Sequence, residues 1–346
     1  MVQAAASAAW FKILLQRCNR EEDMLKSTIK RVAATAVAAG FAVTASLGAA
    51  QAEYPEKPIT MVIPLGAGGS HDLNARVITS IIPTYLNQAM IVRLTPGSGG
   101  QKGTQEVANS AADGYTLLFT HNYIDMLQQH VENLPYDPME DFIPIARVNY
   151  APAGIVVRAD SPYQTFDDLV AAAQANPDSI RMSHSGNWGA FFVPAAQIMK
   201  ARDFSLNLVP YKGGGPALQA LLAGDSDVTM GFPSTLGSLL DAGTIRVLAT
   251  AGSERMFDDV PTLAEVGVEG DIGFMHRVVL APKGTPDDVV ATLTDAFGKL
   301  VEDKTFTRMM GRLNETIDLL DGAEYQAMRQ EQDAAYADLV KVLTSQ

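Results

Sequence analysis

Short apolar runs alternate with helix-like segments along most of this chain. The runs at 59–65, 90–94 and 115–120 are almost continuously apolar, as is typical of strands buried on both faces of a parallel sheet. The segments between them, 72–86 and 101–111, have the residue pattern of helices. This β-α-β-α-β order predicts an α/β fold with a doubly wound sheet.

The alternation continues beyond residue 150. A helix is expected over 165–177, with Thr165 as its N-cap and Asp168 three residues later. Another helix is expected over 188–201, where Pro194 indicates a kink or a late start. The chain is therefore predicted to form a second α/β unit.

The order of the segments predicts that one unit is inserted in the other. The chain is expected to cross between the units near 150–158 and again near 270–280. We therefore predict one domain of residues 53–154 plus 274–346 and a second domain of residues 155–273. Two open α/β sheets joined in this way form a cleft, and their ligands bind beyond the carboxyl ends of the strands.

The N-terminal region has the pattern of an export signal. Residues 24–52 contain three basic residues, then an Ala-rich apolar stretch, and end in the small-residue motif A-Q-A, which predicts a secretory signal peptide cleaved after Ala52.

Residues 1–23 precede a second methionine and are interpreted as an overextended gene start. They contain Cys18, the only cysteine, so the mature chain is predicted to be extracytoplasmic without disulfides. An uncleaved membrane anchor is the alternative, which the weakly apolar composition disfavours.

The charge of the chain limits its partners. Its formal net charge is −13 at pH 7, and 19% of its residues are charged. A protein that binds nucleic acid needs a basic face, so no nucleic-acid partner is predicted. The apolar content of 47% is compatible with a packed core.

Four turns rich in glycine or serine follow a predicted strand and precede a predicted helix. They lie at 64–72, 95–103, 183–189 and 211–216, and are called here the first to fourth turns. Glycines allow backbone N–H groups to approach a ligand closely, and a helix N-terminus adds unpaired donors and partial positive charge. Several such turns around one cleft predict an anion site that does not depend on arginine.

The sequence of these turns gives little support for a nucleotide-binding site or a catalytic triad. The G-x-G-x-x-G pattern fails at His71 in the first turn and at Lys102 in the second, and a phosphate-loop motif is missing. Ser70, His71 and Asp72 are consecutive, so they cannot converge as a catalytic triad. Asp72 is interpreted as an N-cap or first-turn acid, or as a residue that orients the turn or contacts the ligand. His71 is either a loop residue or a ligand contact.

The histidines are scattered without metal-ligand spacing, so neither a metal nor a cofactor is predicted. His121 and His184 end predicted strands and are expected either to line the cleft or to face solvent. Trp188 and Phe191 are expected to belong to the core or to form a wall against the carbon skeleton of the ligand.

Several segments resemble a known family in order and spacing. They are "YPEKPITMVIPLGAGGSHDLNAR" (54–76), "MIVRLTPGSGGQKGTQEVANSAADGYTLLFT" (90–120), "VPYKGGGPALQALLAGDSDVTMG" (209–231) and "LAPKGTPDDVVATL" (280–293). In these segments the chain resembles the substrate-binding proteins of tripartite tricarboxylate transporters, the Bug receptors. The resemblance implies a two-domain periplasmic-binding-protein fold of the Venus-flytrap, type II-like kind. It also implies a periplasmic receptor, not an enzyme, that delivers an organic carboxylate to a permease of one large and one small subunit. The chain is expected to be a monomer.

The resemblance also implies which residues bind the ligand. From the first two turns these are Gly66, Ala67, Gly68, Gly69, Asp72, Gly97, Ser98, Gly99 and Gly100. From the facing domain they are Ser185, Gly186, Asn187, Tyr211, Lys212 and Gly213. Further candidates are Ser70, His71, His121, Trp188 and Phe232.

The chain departs from the family pattern in places. The residues before the second turn are Arg93, Leu94 and Thr95, and the third turn reads "GNWGAFF". The aromatic residues Trp188, Phe191 and Phe232 predict that the ligand is a bulkier or an aromatic acid. Two alternatives stay open: a receptor of the same fold that signals to a sensor protein, and an exported hydrolase that uses Ser70, Ser98 or Ser183.

Overall fold

The computed structural model describes Met24 and residues 54–345, except Ser253 and Asp271. The predicted gene-start segment, the signal peptide and the cleavage point after Ala52 lie outside these residues, apart from Met24. By their contacts, the described residues after the predicted signal form one compact unit. None of the helices among the described residues is both long enough and apolar enough to span a membrane.

Strands and helices alternate, as the apolar pattern predicts. The strands are β1 (Ile59–Ile63), β2 (Met90–Leu94), β3 (Thr116–His121), β4 (Phe142–Pro152), β5 (Gly154–Arg158), β6 (Arg181–His184), β7 (Asn207–Pro210), β8 (Val228–Gly231), β9 (Ile245–Thr250), β10 (Phe274–Pro282) and β11 (Ile317–Asp321). The helices are α1 (Ser70–Ile81), α2 (Pro83–Leu86), α3 (Gln101–Ala108), α4 (Phe166–Ala175), α5 (Phe192–Arg202), α6 (Gly214–Ala223), α7 (Pro233–Asp241), α8 (Asp287–Glu302), α9 (Lys304–Arg312) and α10 (Gly322–Thr344). Single helical turns also occur at Ser98–Gly100, Tyr123–Leu127 and Gln128–His130.

The described strands form two sheets. The first sheet has the order β11-β4-β10-β3-β1-β2, and the second has the order β7-β6-β8-β5-β9. β1 is parallel to β2 and β3, and β6 is parallel to β7 and β8. The parallel pairing predicted for the first three apolar runs is confirmed, but each sheet as a whole is mixed. β10 is antiparallel to β3 and β4, and β5 is antiparallel to β8 and β9.

The antiparallel pairs arise from the way the chain changes sheets. It leaves the first sheet between Pro152 and Gly154 and returns between Thr250 and Phe274. The outgoing strand β4 and the returning strand β10 run in opposite directions and pair along their length, from Pro152 opposite Phe274 onward. The first crossing lies within the predicted region near 150–158, and the second ends at Phe274, within the predicted region near 270–280. The domain limits stay a prediction, because the described residues form one compact unit.

The structure confirms the starts of two helices that local residue signals predicted. The Thr165 side chain accepts from the Asp168 N–H at 3.1 Å and the Asp168 carboxylate accepts from the Thr165 N–H at 2.9 Å, so the predicted N-cap of α4 is confirmed. α5 begins only at Phe192, and the backbone at Trp188, where the predicted helix would begin, is left-handed with φ 54°. The late start that Pro194 indicated is therefore confirmed.

The C-terminal helix α10 reaches the cores of both sheets. Tyr325, near its start, packs with Val278 and Leu280 of β10. Val340, near its end, belongs to the same apolar cluster as Ile198 of α5. The helix therefore runs alongside the paired crossing strands as a third connection between the two cores.

Candidate functional site

All four turns lie where the sequence predicts, between the carboxyl end of a strand and the start of a helix. The first and second turns follow the parallel neighbours β1 and β2, and the third and fourth follow the parallel neighbours β6 and β7. Carboxyl ends of parallel strands meet at the same edge of a sheet, so each sheet presents two turns side by side.

The first turn touches the fourth turn across the two sheets. The Gly66 N–H donates to the Lys212 carbonyl at 2.8 Å. A Cβ at Gly215 would lie 2.6 Å from the backbone nitrogen of Gly69, and a Cβ at Gly213 would lie 2.8 Å from that of Gly66. Glycine is required here because the two backbones approach too closely for any side chain.

The second turn faces the third turn in the same way. Gly99 has φ 60°, and its Cβ would lie 3.2 Å from the Asn187 carbonyl oxygen. A Cβ at Gly186 would lie 3.1 Å from the Gly99 Cα. Gln128 stabilises this arrangement, because its buried Nε2 donates to the Gly99 carbonyl at 2.8 Å.

Together the turns enclose a cavity of about 470 Å³, called here the main cavity. This size suits a small organic molecule. It is lined by Pro64, Leu65, Gly97, Ser98, Gly99, Gly100, Gln101, Glu132, Ser185, Gly186, Asn187, Pro210, Tyr211 and Lys212. The helical turn Ser98–Gly100 begins at this cavity, and Lys212 adds the one positive side chain among these lining residues. The Gly100 N–H is not free, because it donates to the Gly97 carbonyl at 2.9 Å. Glu132 is exposed at the same cavity and opposes an anion there.

A second, much smaller space adjoins the main cavity and shares Leu65 and Ser185 with it. This inner cavity holds about 20 Å³. Its walls are Leu65, Gly66, Gly69, Ser70, His71, His121, Ser185, Ala190, Phe191, Gly214, Phe232, Thr235 and Met275.

Two buried histidines face each other at the inner cavity. The rings of His71 and His121 are 5.2 Å apart, and the His71 Nε2 lies 3.2 Å from the Thr120 carbonyl oxygen. Burial lowers the pKa of His71 well below its usual value, with smaller contributions from His121 and from the positive charge of Arg277. Burial and then Arg277 lower the pKa of His121 to about 3. Both rings are therefore neutral at physiological pH.

A buried polar network lies behind these histidines. Arg277 of β10 pairs with Glu315 and also donates to the Ser70 hydroxyl at the start of α1. Asn74 and Asn149 donate to the Glu315 carboxylate at 3.2 and 3.0 Å. Sequence reasoning missed this network, although an arginine within the apolar run of β10 was a usable signal.

Asp72 orients the first turn from inside α1. The N-cap of α1 is Gly69, so the N-cap interpretation of Asp72 is wrong and the first-turn interpretation is confirmed. The Asp72 Oδ2 accepts from the Gly68 N–H at 2.9 Å, and its Oδ1 lies 2.9 Å from the Arg76 guanidinium. Because the N–H groups of Gly66 and Gly68 already have protein acceptors, the first turn offers fewer free donors than expected.

The two cavities bring most of the predicted residues together. Those that line the main cavity are Gly97, Ser98, Gly99, Gly100, Ser185, Gly186, Asn187, Tyr211 and Lys212. Those that line the inner cavity are Gly66, Gly69, Ser70, His71, His121, Ser185 and Phe232. Ala67, Gly68, Asp72, Trp188 and Gly213 line neither cavity. Whether each of them binds a ligand stays a prediction.

Some of the residues near the cavities line a cavity wall, and others pack in the protein core. His121 lines the inner cavity, whereas His184 is buried against Phe192 with ring centroids 5.4 Å apart. Trp188 also packs on Phe192, at 5.2 Å, which favours its core interpretation. The structure adds Leu65, Gln101, Glu132, Thr235 and Met275 as lining residues that the sequence did not single out.

The hydrolase alternative finds little support in these contacts. The Ser183 hydroxyl is buried and donates to the Ala217 carbonyl at 2.8 Å, and the Ser70 hydroxyl faces Arg277. Among the hydrogen bonds of the described residues, none joins Ser70, Ser98 or Ser183 to a histidine. Within the described residues, no three His, Cys, Asp or Glu side chains are grouped closely enough to hold a metal.

Comparisons with solved structures match both sheets. The periplasmic binding protein BugD is 29% identical with a TM-score of 0.80, over 84% of this chain and 98% of BugD. MatC from Rhodopseudomonas palustris, solved with bound malate, is 26% identical with a TM-score of 0.78, over 83% of this chain and 100% of MatC. The chain therefore has the periplasmic-binding-protein fold that the resemblance implied, here a mixed α/β fold with two sheets.

Sequence comparisons agree with the structural ones. Protein BugT of Bordetella pertussis is 31% identical over 257 residues, which cover 72% of this chain and 78% of BugT. The model of the tripartite tricarboxylate transporter family receptor matches residues 74–343. This chain therefore belongs to the tripartite tricarboxylate transporter receptor family, whose members are substrate-binding proteins of transport systems.

Proposed function

We propose that this chain is a periplasmic receptor that binds a small organic carboxylate in the main cavity and passes it to a membrane permease of one large and one small subunit. The observation that carries the proposal is the convergence of four glycine turns, two from each sheet, on one cavity. MatC, a relative of the same fold, was solved with malate. In this proposal the chain catalyses no reaction, needs no cofactor and works as a monomer.

The chemistry of the main cavity favours an anion despite the acidic charge of the whole chain. Backbone N–H groups at a helix start and the Lys212 ammonium supply local positive potential. A carboxylate that accepts such hydrogen bonds forms charge-assisted contacts, which are stronger than neutral ones. The overall charge of −13 would slow association without preventing binding.

Binding in this proposal closes the two sheets around the ligand. The paired strands β4 and β10 would act as the hinge between the predicted domains, 53–154 plus 274–346 and 155–273. The contacts of Gly66 with Lys212 and of Gly99 with Asn187 would belong to the closed form.

Thermal unfolding of the exported chain tests the binding step. The chain is purified, freed of bound ligand by unfolding and refolding, and screened with mono-, di- and tricarboxylates and with the amide of each acid as an uncharged control. A ligand at 100 times its Kd should raise the free energy of unfolding by about 2.7 kcal/mol. Stabilisation by amides and by none of the acids would contradict the proposal.

Uptake measurements test the delivery step. Cells that contain both permease subunits should take up the stabilising acid only when this chain is present. Ligand-dependent signalling without uptake would instead support the sensor alternative.

A further inference from the structure

The inner cavity is placed to receive one end of a ligand that lies in the main cavity. The two spaces share Leu65 and Ser185. A molecule held by its carboxylate at the second and third turns could therefore extend past Ser185 toward His121. The inner cavity then decides which chemical group can occupy the other end of the molecule.

No lysine or arginine lines the inner cavity among the described residues. Arg277 lies behind Ser70, but both of its terminal nitrogens donate to Glu315, and neither side chain has any exposed surface. The carboxylate of Glu315 therefore balances the guanidinium charge. Burial also keeps His71 and His121 neutral, because it lowers the pKa of both. A second carboxylate would be buried here without a counter-ion, which is strongly unfavourable.

Two polar atoms on the walls of this cavity have no hydrogen-bond partner within the described structure. They are the Nδ1 of His121 and the Oγ of Ser185. The two residues are only 2% and 7% exposed, so bulk water does not serve these atoms. A buried polar atom without a partner is costly, and a ligand group that both donates and accepts would satisfy both of them.

The size of the inner cavity limits that group. A volume of about 20 Å³ holds roughly one water molecule or a group of similar size. The rings of Phe191 and Phe232, whose centroids are 5.5 Å apart, form part of the wall. A ring does not fit in this space, so an aromatic acid would have to place its ring in the main cavity.

We infer that the ligand is a monocarboxylate whose other end is a small, uncharged hydrogen-bonding group, such as a hydroxyl, held between His121 and Ser185. This inference rests on the proposed function. Ser185 and His121 are then the residues that select against dicarboxylates.

Isothermal titration with acids of matched length tests this selection. Succinate, 4-hydroxybutanoate and butanoate share a four-carbon chain. These three acids and the corresponding acids with three, five and six carbons are titrated at pH 7.5. The hydroxy acid of the best length should bind at least tenfold more tightly than the dicarboxylate. A dicarboxylate that binds as tightly overturns the inference but leaves the proposed function intact. Absence of binding by every carboxylate overturns both.

A serine variant tests the contact itself. Ser185→Ala should weaken binding of the hydroxy acid about tenfold more than it weakens binding of the unsubstituted acid, because only the former loses the hydrogen bond to its hydroxyl. Ser234→Ala is the matched control, since its hydroxyl is also buried without a partner but lines neither cavity. Thermal unfolding checks that both variants fold. An equal loss for both acids in Ser185→Ala would assign Ser185 a structural role only and overturn the contact.

Discussion

Arg277 and Glu315 form an ion pair that is wholly withdrawn from solvent. The Arg277 Nη1 donates to the Glu315 Oε2 at 2.6 Å, and the exposed fraction of both side chains is 0%. Arg277 lies on β10, one of the two paired crossing strands, and its other terminal nitrogen reaches Ser70 at the start of α1. The pair therefore ties a crossing strand to the helix that carries the first turn.

Removing one partner of this pair should be far worse than removing both. Glu315→Gln leaves the Arg277 charge buried without a counter-ion, and we expect it to lower the free energy of unfolding by about 3–5 kcal/mol in urea titrations. The double change Arg277→Met with Glu315→Leu should recover more than half of that loss. The control is Glu265→Gln, which breaks a half-exposed pair with Arg255 and should cost under about 1 kcal/mol. Equal losses in the two single variants would contradict this account.

The close approach of the second and third turns predicts a binding defect for Gly99→Ala. Gly99 and Gly243 have nearly the same left-handed φ, 60° and 63°, but a Cβ at Gly243 meets nothing within 4 Å. Alanine should cost each position about 1 kcal/mol of stability through backbone strain. Only Gly99→Ala pushes against the Asn187 carbonyl, so only this variant should lose about tenfold in carboxylate affinity, measured by calorimetry. A similar affinity loss in Gly243→Ala would show that strain alone is responsible.

A variant at the contact of the first and fourth turns tests whether closure of the two sheets is needed for ligand binding. Gly215 lies in helical backbone, and a Cβ there would be 2.6 Å from the Gly69 nitrogen. Gly215→Ala should therefore hold the sheets apart and abolish detectable carboxylate binding. Gly298→Ala, in open space on α8, should instead raise stability by up to about 1 kcal/mol and leave binding unchanged. Small-angle scattering with and without ligand follows closure directly, and a normal ligand-induced compaction in Gly215→Ala would refute the prediction.

The buried histidines predict that the chain loses stability in acid. The folded-state pKa of His121 is lowered to about 3, below its unfolded value near 6.5, so the unfolded chain binds more protons between these values. The free energy of unfolding should therefore fall as pH drops below about 6.5, by up to about 1.4 kcal/mol per pH unit for this one residue. His121→Gln should reduce the slope between pH 6 and pH 4 by about that amount and leave the slope above pH 7.5 unchanged. Denaturant titrations across this range measure both slopes, and parallel curves would argue against a neutral buried His121.

Local sequence signals predicted much of the architecture. The N-cap pair Thr165 and Asp168 gave the start of α4, because capping depends on residues three apart in the chain. The apolar run at 59–65 gave β1, because a strand buried on both faces shows it in its composition. The four glycine turns were also located correctly, since each needs only a strand before it and a helix after it.

Contacts between distant segments were not predictable in the same way. The pairing of β4 with β10 joins residues more than a hundred positions apart, and no local pattern specifies it. His121 and His184 both end strands, yet His121 lines the inner cavity whereas His184 packs against Phe192. The helical turns at 123–130, which bring Gln128 to the Gly99 carbonyl, had no recognised signal.

The sequence by itself determined the alternation of strands and helices, the family resemblance and the turns at which an anion could bind. These features depend on apolar periodicity, capping and glycine, which act within a few residues. Only the tertiary structure decided which N–H groups of those turns already have protein acceptors, that Glu315 neutralises Arg277, and that no lysine or arginine among the described residues lines the inner cavity. Each of these depends on which groups from separate segments meet in the same buried volume, where an unpaired charge or donor is costly.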